Sequence, residues 1–188
     1  MRPWTGCLLI LGMLCSGCGS DRTEFPLRVG QKWTYSVLTG LYTRVEDVSV
    51  AREVSVAGVE GYELAGPLGI SRIAWKDGVL VADALANSQF EPELPLLVAG
   101  EESARRSWTG TLSAMGSKVA AKAEMVQSTE NRQIGGKSVR ARKVVITLRG
   151  EKNTVELITW YVADVGPLMQ EQRTNGRLDV SLEALSAP

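Results

Sequence analysis

The sequence predicts an all-β protein: an antiparallel meander of about ten strands, built from two similar units and forming a curved sheet or open barrel. Three observations carry this. Runs of alternating apolar and polar residues recur along the chain. Two-residue turn signals fall between them, and no long segment shows a helical period with caps. The 188 residues suit one such domain.

Residues 1–19 read as an export signal. Arg2 supplies the cation, residues 7–15 the apolar run, and Ser16-Gly17 the small residues ahead of Cys18, which is the pattern of a cleaved secretory segment. The run is too short for a spanning helix, which needs roughly 20 apolar residues. The ending Leu14-Cys15-Ser16-Gly17-Cys18 resembles the lipobox of bacterial lipoproteins, with Cys15 where that family usually has Leu. The resemblance implies a signal peptide over 1–17, lipidation of Cys18, and a polar tether over 18–24. It also implies an exported protein held to the cell envelope by an N-terminal acyl anchor. Gly19 after the lipidated position implies the outer membrane, periplasmic side, in a diderm host.

From Phe25 onward the chain reads as strands. In a first β unit, 25–83, Val48, Val50, Val54 and Val56 share one face, opposite Asp47, Ser49, Glu53 and Ser55; Arg52 breaks the apolar side. Asp77-Gly78 marks a hairpin turn. Residues 84–105, with Pro92, Pro95, Gly100 and four glutamates, read as a linker, either a plain connector or a covering element. In a second β unit, 106–188, Val119, Ala121, Ala123 and Met125 alternate with Lys118, Lys122 and Glu124. Leu178, Val180, Leu182 and Ala184 do the same near the end. Gly135-Gly136 and Asn175-Gly176 mark further turns. The segment 155–162 is apolar on both faces, which requires cover on both. The two units share an order of features: a Pro-Leu opening, a Trp, a long alternating strand, a Gly turn, and an aromatic strand ending in Gly.

The chemistry that composition excludes is broad. The chain has 21 Lys+Arg, 21 Asp+Glu, no His and three Cys. Balanced charge gives no electrostatic case for nucleic acid. Without His there is no His-based triad or metal site. All Cys lie at positions 7, 15 and 18, so the exported chain has no disulfide framework and no catalytic thiol. No phosphate loop or calcium loop is present. The reading is therefore no catalytic residues, no cofactor and no metal. Trp33, Trp75, Trp108 and Trp160 are either large core fillers or the lining of an apolar ligand or partner face. Arg52 and Arg142 are the charges expected to point inward, as edge protection or as an anion contact.

The opening Phe25-Pro26-Leu27-x-x-Gly30-x-x-Trp33-Thr34-Tyr35, with Trp160-Tyr161 ahead of Val165-Gly166, resembles a large group of uncharacterised bacterial lipoproteins. The resemblance implies no activity. In architecture alone the sheet is similar to the curved half-barrels of the Lol lipoprotein carriers and receptors, and fold does not fix function. The expected function is a lipid-anchored, non-catalytic envelope protein that binds a hydrophobic ligand, such as a lipid, or a partner envelope protein. Two alternatives stand beside it: a carboxylate-dependent hydrolase of envelope polysaccharide, and a purely structural docking module.

Overall fold

The computed structural model describes residues 25–134, 137–150 and 153–185. The signal peptide, Cys18, the tether and the Gly135-Gly136 turn lie outside the described residues. The chain forms twelve strands: β1 (Lys32–Thr39), β2 (Tyr42–Val56), β3 (Val59–Gly66), β4 (Gly69–Lys76), β5 (Val79–Leu85), β6 (Ser88–Val98), β7 (Ala104–Ala114), β8 (Ser117–Ile134), β9 (Lys137–Arg149), β10 (Thr154–Val162), β11 (Gly166–Thr174) and β12 (Arg177–Ala184). Each pairs antiparallel with its sequence neighbours, and β1 pairs with β12 from Tyr35↔Ala184 to Thr39↔Val180, closing a barrel. Closure removes the outer edges of the sheet; only the β6–β7 seam is short, with three register pairs. The expected all-β meander is present, with twelve strands rather than about ten.

The turn chemistry explains the close spacing. Asp77-Gly78 and Asn175-Gly176 have positive φ at both residues, as do Ala57-Gly58, Ala86-Asn87 and Met115-Gly116. Positive φ at both central positions is the backbone of a two-residue hairpin turn whose twist matches the strands. Ala86-Asn87 makes such a turn with no glycine, and this corrects the expected linker. Residues 84–105 hold the end of β5, that turn, all of β6 and the start of β7.

Pro92 and Pro95 disguise β6, since proline cannot donate to a ladder. Pairing of β6 with β7 stops at Glu91↔Thr111, one residue before Pro92. Pro95 sits opposite Val81, where the β5–β6 register slips. Past Glu91, a side chain replaces the missing neighbour. Gln127 of β8 is buried; its Oε1 accepts from the Val98 N–H (2.9 Å), and its Nε2 donates to the Val98 (3.0 Å) and Glu101 (2.5 Å) carbonyls. The amide stands in for a strand peptide, satisfying groups that are costly to bury unpaired.

A second irregularity corrects the face of Arg52. The β2–β3 register shifts between Val50↔Leu64 and Arg52↔Glu63. This bulge moves the residues beyond it to the opposite face. Val50 faces the core, whereas Val54 lies opposite Gly61 on the other side. Arg52 is turned outward onto Glu63, with bonds of 3.0 and 2.7 Å.

One end of the barrel is sealed by the segment ahead of β1. Phe25 and Leu27 are buried there. The Phe25 ring lies 5.4 Å from Trp33 and 5.9 Å from Tyr161, within aromatic pairing range. The Phe25 carbonyl accepts from Trp75 Nε1 at 3.3 Å. Trp33 Nε1 donates to the Val165 carbonyl (2.7 Å), and the Tyr35 hydroxyl to the Pro167 carbonyl (2.6 Å). Gly166 has φ +102°, and a Cβ there would stand 2.8 Å from the Phe25 ring. The two motifs at opposite ends of the chain thus meet in one seal. Among the described residues, the core begins at Phe25.

Gly166→Ala is expected to cost roughly 2–4 kcal/mol, from a disfavoured backbone conformation and overpacking against Phe25. The urea unfolding midpoint measures it. An unchanged midpoint would show that Phe25 does not seal the barrel through this contact.

Candidate functional site: a one-ended cavity inside the barrel

Opposite the seal, the interior is open. The rim there is made by the β1–β2, β3–β4, β5–β6, β7–β8, β9–β10 and β11–β12 connections. Below it lies a cavity of about 520 Å³, walled mainly by Val48, Leu68, Phe90, Leu112, Leu148 and Val155. A deeper hollow of about 100 Å³ continues toward the seal between Leu64, Ile73, Leu96, Ile146 and Tyr161, with Phe25 as its floor. Ser71, Leu85, Leu157 and Gln170 line both and form the waist.

The walls follow from register. Val155, Leu157, Thr159 and Tyr161 of β10 lie opposite Leu148, Ile146, Val144 and Arg142 of β9, so one face of each strand points inward. Gln170 and Gln172 are the inward residues of β11, opposite Leu182 and Val180. Asp179 reaches the mouth, where its carboxylate accepts from the Thr174 hydroxyl at 2.5 Å and faces Arg177 at 3.8 Å. An apolar hollow with a few polar groups near its entrance is the usual form of a small-molecule site. Nothing in this lining resembles a catalytic constellation, and among the described residues no three His, Cys, Asp or Glu side chains cluster to hold a metal.

The outer wall is polar. Lys32–Asp47, Arg52–Glu63, Arg72–Asp83 and Arg105–Glu124 pair across adjacent strands, and Lys76–Glu93 reaches from β4 over β5 to β6. A barrel that spans a membrane instead presents an apolar outward band, where a charge costs about 2–4 kcal/mol at the midplane. Side-chain hydrogen bonds from their partners hold the Asp47, Glu63 and Glu93 carboxyls below their ordinary range.

The four tryptophans do not share one face. Trp33 and Trp75 belong to the seal. Trp108, opposite inward Ala123, packs edge-on to Phe90 at 6.0 Å and donates to the Pro92 carbonyl at 2.9 Å. Gly110 leaves room for that ring, since a Cβ there would stand 2.6 Å from it. Trp160 lies between inward Thr159 and Tyr161 and so points outward. It is nevertheless buried: Arg132 lies over its ring at 4.4 Å and Lys143 at 5.5 Å, and its Nε1 donates to Glu130 at 2.6 Å. Neighbouring side chains thus supply the outer cover that the doubly apolar β10 requires. Arg142 points inward and donates to the Val98 carbonyl at 3.2 Å, beside a polar hollow of about 300 Å³ at the sealed end where Arg140 pairs with Glu102.

Sequence reasoning missed the residues that line the cavity. Gln170 and Gln172 carried the available signal: two polar residues at alternate positions of β11, opposite Leu182 and Val180.

No protein-family model and no curated protein matches this chain. Among solved structures it is similar to a "putative lipoprotein" from Parabacteroides distasonis, at 14% identity and TM-score 0.50, over 86% of this chain and 96% of that one. It is also similar to a "putative exported protein with YmcC-like fold" from Bacteroides fragilis, at 16% identity and TM-score 0.49, over 85% and 96%. A third is the "hypothetical lipoprotein YmcC" from Escherichia coli, at 12% identity and TM-score 0.44, over 85% and 89%. What is shared with the Parabacteroides protein is the fold.

Burial raises the Tyr35 and Tyr161 phenols well above their ordinary range. The unfolded chain releases these protons near pH ~10, whereas the folded chain retains them. The stabilising contribution is therefore complete below that pH and is lost as pH rises above it. Stability is expected to fall steeply above pH ~10, with part of the phenolate absorbance arriving only as the barrel unfolds. Free titration of all four tyrosines in the folded protein would contradict this.

Proposed function

We propose that this protein is a lipid-anchored, non-catalytic component of the cell envelope whose barrel takes a hydrophobic ligand through its open end. The observation that carries the reading is the one-ended cavity: apolar walls, a closed floor, and a mouth with amides and one carboxylate. Burying an acyl chain in such a space gains about 0.8 kcal/mol per methylene removed from water. The polar groups near the mouth suit the head of an amphipathic molecule.

The envelope location rests on the signal pattern before Cys18 and on the resemblance to lipoproteins. The Parabacteroides protein of like fold is itself described as a "putative lipoprotein". Acyl attachment at Cys18 would hold the barrel stably at a membrane, since two or more chains suffice. Gly19 after that Cys supports the outer membrane, periplasmic side, for a diderm host. The non-catalytic reading is supported by the cavity lining. Asp179 is its one carboxylate among the described residues, whereas glycoside cleavage generally takes two, about 5–10 Å apart.

Native mass spectrometry of residues 19–188, purified without detergent, tests the reading. Extra mass that dissociates as lipid is the expected result. Leu157→Trp, which fills the waist, is expected to keep the unfolding midpoint within about 1–3 kcal/mol of stability. It should weaken uptake of a fluorescent fatty-acid analogue at least tenfold. Uptake that is absent from the unmodified barrel, or indifferent to this substitution, would remove the cavity as the site.

A further inference from the structure

The largest exposed apolar side chains gather at one end of the molecule. Leu41 and Tyr42 at the β1–β2 turn and Met115 at the β7–β8 turn stand almost wholly exposed, and Ile70, Val119 and Leu178 are partly exposed near the same rim. Only Val29 and Leu185, near the seal, and Val45, on the outer wall beyond Tyr42, complete that set among the described residues. Met115 also lines the cavity mouth, so the apolar rim is continuous with the apolar interior.

We infer that this rim docks onto the surface of a lipid bilayer containing anionic lipid, placing the mouth of the barrel at the headgroup level. Two features select a bilayer over a protein partner. The apolar residues are separate side chains on the tips of different hairpins, spaced around a ring, rather than the contiguous patch that protein interfaces use. A bilayer accepts isolated projections, with Tyr42 suited to the headgroup level as aromatic rings at membrane interfaces are. The second feature is charge. Arg44, Lys118 and Arg177 beside the tips pair with Glu46, Glu91 and Asp179. Arg149 ends β9 at the β9–β10 connection, with Lys122 of β8 as its register partner on the outer wall, and neither makes an ion pair with a described residue. This leaves a cationic pair close to the rim, and basic residues at a surface favour anionic lipid.

Residues 19–188 carrying Leu41→Trp provide the test, with vesicles of phosphatidylcholine, alone or mixed with phosphatidylglycerol. The signal is the difference in emission between this variant and the parent sequence, which isolates the introduced indole. Vesicles are expected to shift that emission to the blue, and brominated acyl chains to quench it. Binding should be tighter with phosphatidylglycerol and weakened, not abolished, by raised salt. A reporter at the sealed end, Val29→Trp, should not respond. In the parent sequence, the pair Leu41→Ser and Tyr42→Ser is expected to lower co-sedimentation by about tenfold or more, the order of effect for burying one large apolar side chain. A silent reporter at the rim, or an equal response from Val29→Trp, would overturn the inference. So would a rim reporter already shifted without vesicles in a concentration-dependent way, which would assign the rim to a second copy of the chain. Uptake of the fatty-acid analogue without vesicles is measured separately, so docking and cavity binding can fail independently.

Discussion

The contact on which the molecule depends is Phe25 seated against Gly166. A twelve-stranded barrel encloses more volume than its wall side chains fill, so each end is either plugged or left as a cavity. Here the segment ahead of β1 plugs one end with Phe25 and Leu27. The seat exists because Gly166 has no Cβ and adopts a backbone that other residues adopt only with strain. Trp33, Tyr35 and Trp75 then fix the segment through carbonyl acceptors at Val165, Pro167 and Phe25. The first two bonds tie the first strand to the β10–β11 connection and the start of β11, across the β1–β12 junction that closes the barrel, and the third ties the segment to β4.

Sealing one end makes the two ends unlike. At the seal, aromatic rings and buried phenols fill the interior. Toward the rim the lining is mainly aliphatic, with Phe90, two glutamines and Asp179, and it leaves the space unfilled. The polar outer wall supplies the complementary constraint. Cross-strand ion pairs keep the barrel's side in water, and even Trp160, the largest side chain on the outer face, is roofed by Arg132 and Lys143. The apolar surface that remains exposed is therefore concentrated at the rim, where it adjoins the cavity.

Much of this was legible in the sequence. Alternation placed Ala121, Ala123 and Met125 on the inward face of β8, and Val180 and Leu182 on that of β12, because a regular strand has period two. Asp77-Gly78 and Asn175-Gly176 announced their turns because those residue types tolerate positive φ. Reading failed where one residue changed the register. The bulge at Ala51 reversed Arg52 and Val54. The turn Ala86-Asn87, with two prolines after it, hid β6 inside an expected linker. The cavity was not legible because it is a difference between the volume enclosed and the volume filled, which depends on strand number. The motif residues Phe25, Trp33 and Gly166 were visible, but not that they meet at one end of the barrel, because that meeting depends on the closure of β1 onto β12.

The position of the seal also bears on how an anchored barrel would face its surroundings. The chain enters at Phe25, at the sealed end, and β1 runs from there toward the rim. Residues 18–24 can extend no more than ~25 Å, about the length of an eight-residue strand. A lipid on Cys18 would therefore hold the sealed end toward its own membrane, with the mouth directed away from it. In that orientation the apolar rim meets whatever lies across from the anchoring membrane, and a ligand could enter or leave the cavity without crossing the polar outer wall. The seal thus does two things at once: it completes the core where the described residues begin, and it leaves the cavity mouth at the opposite end of the barrel.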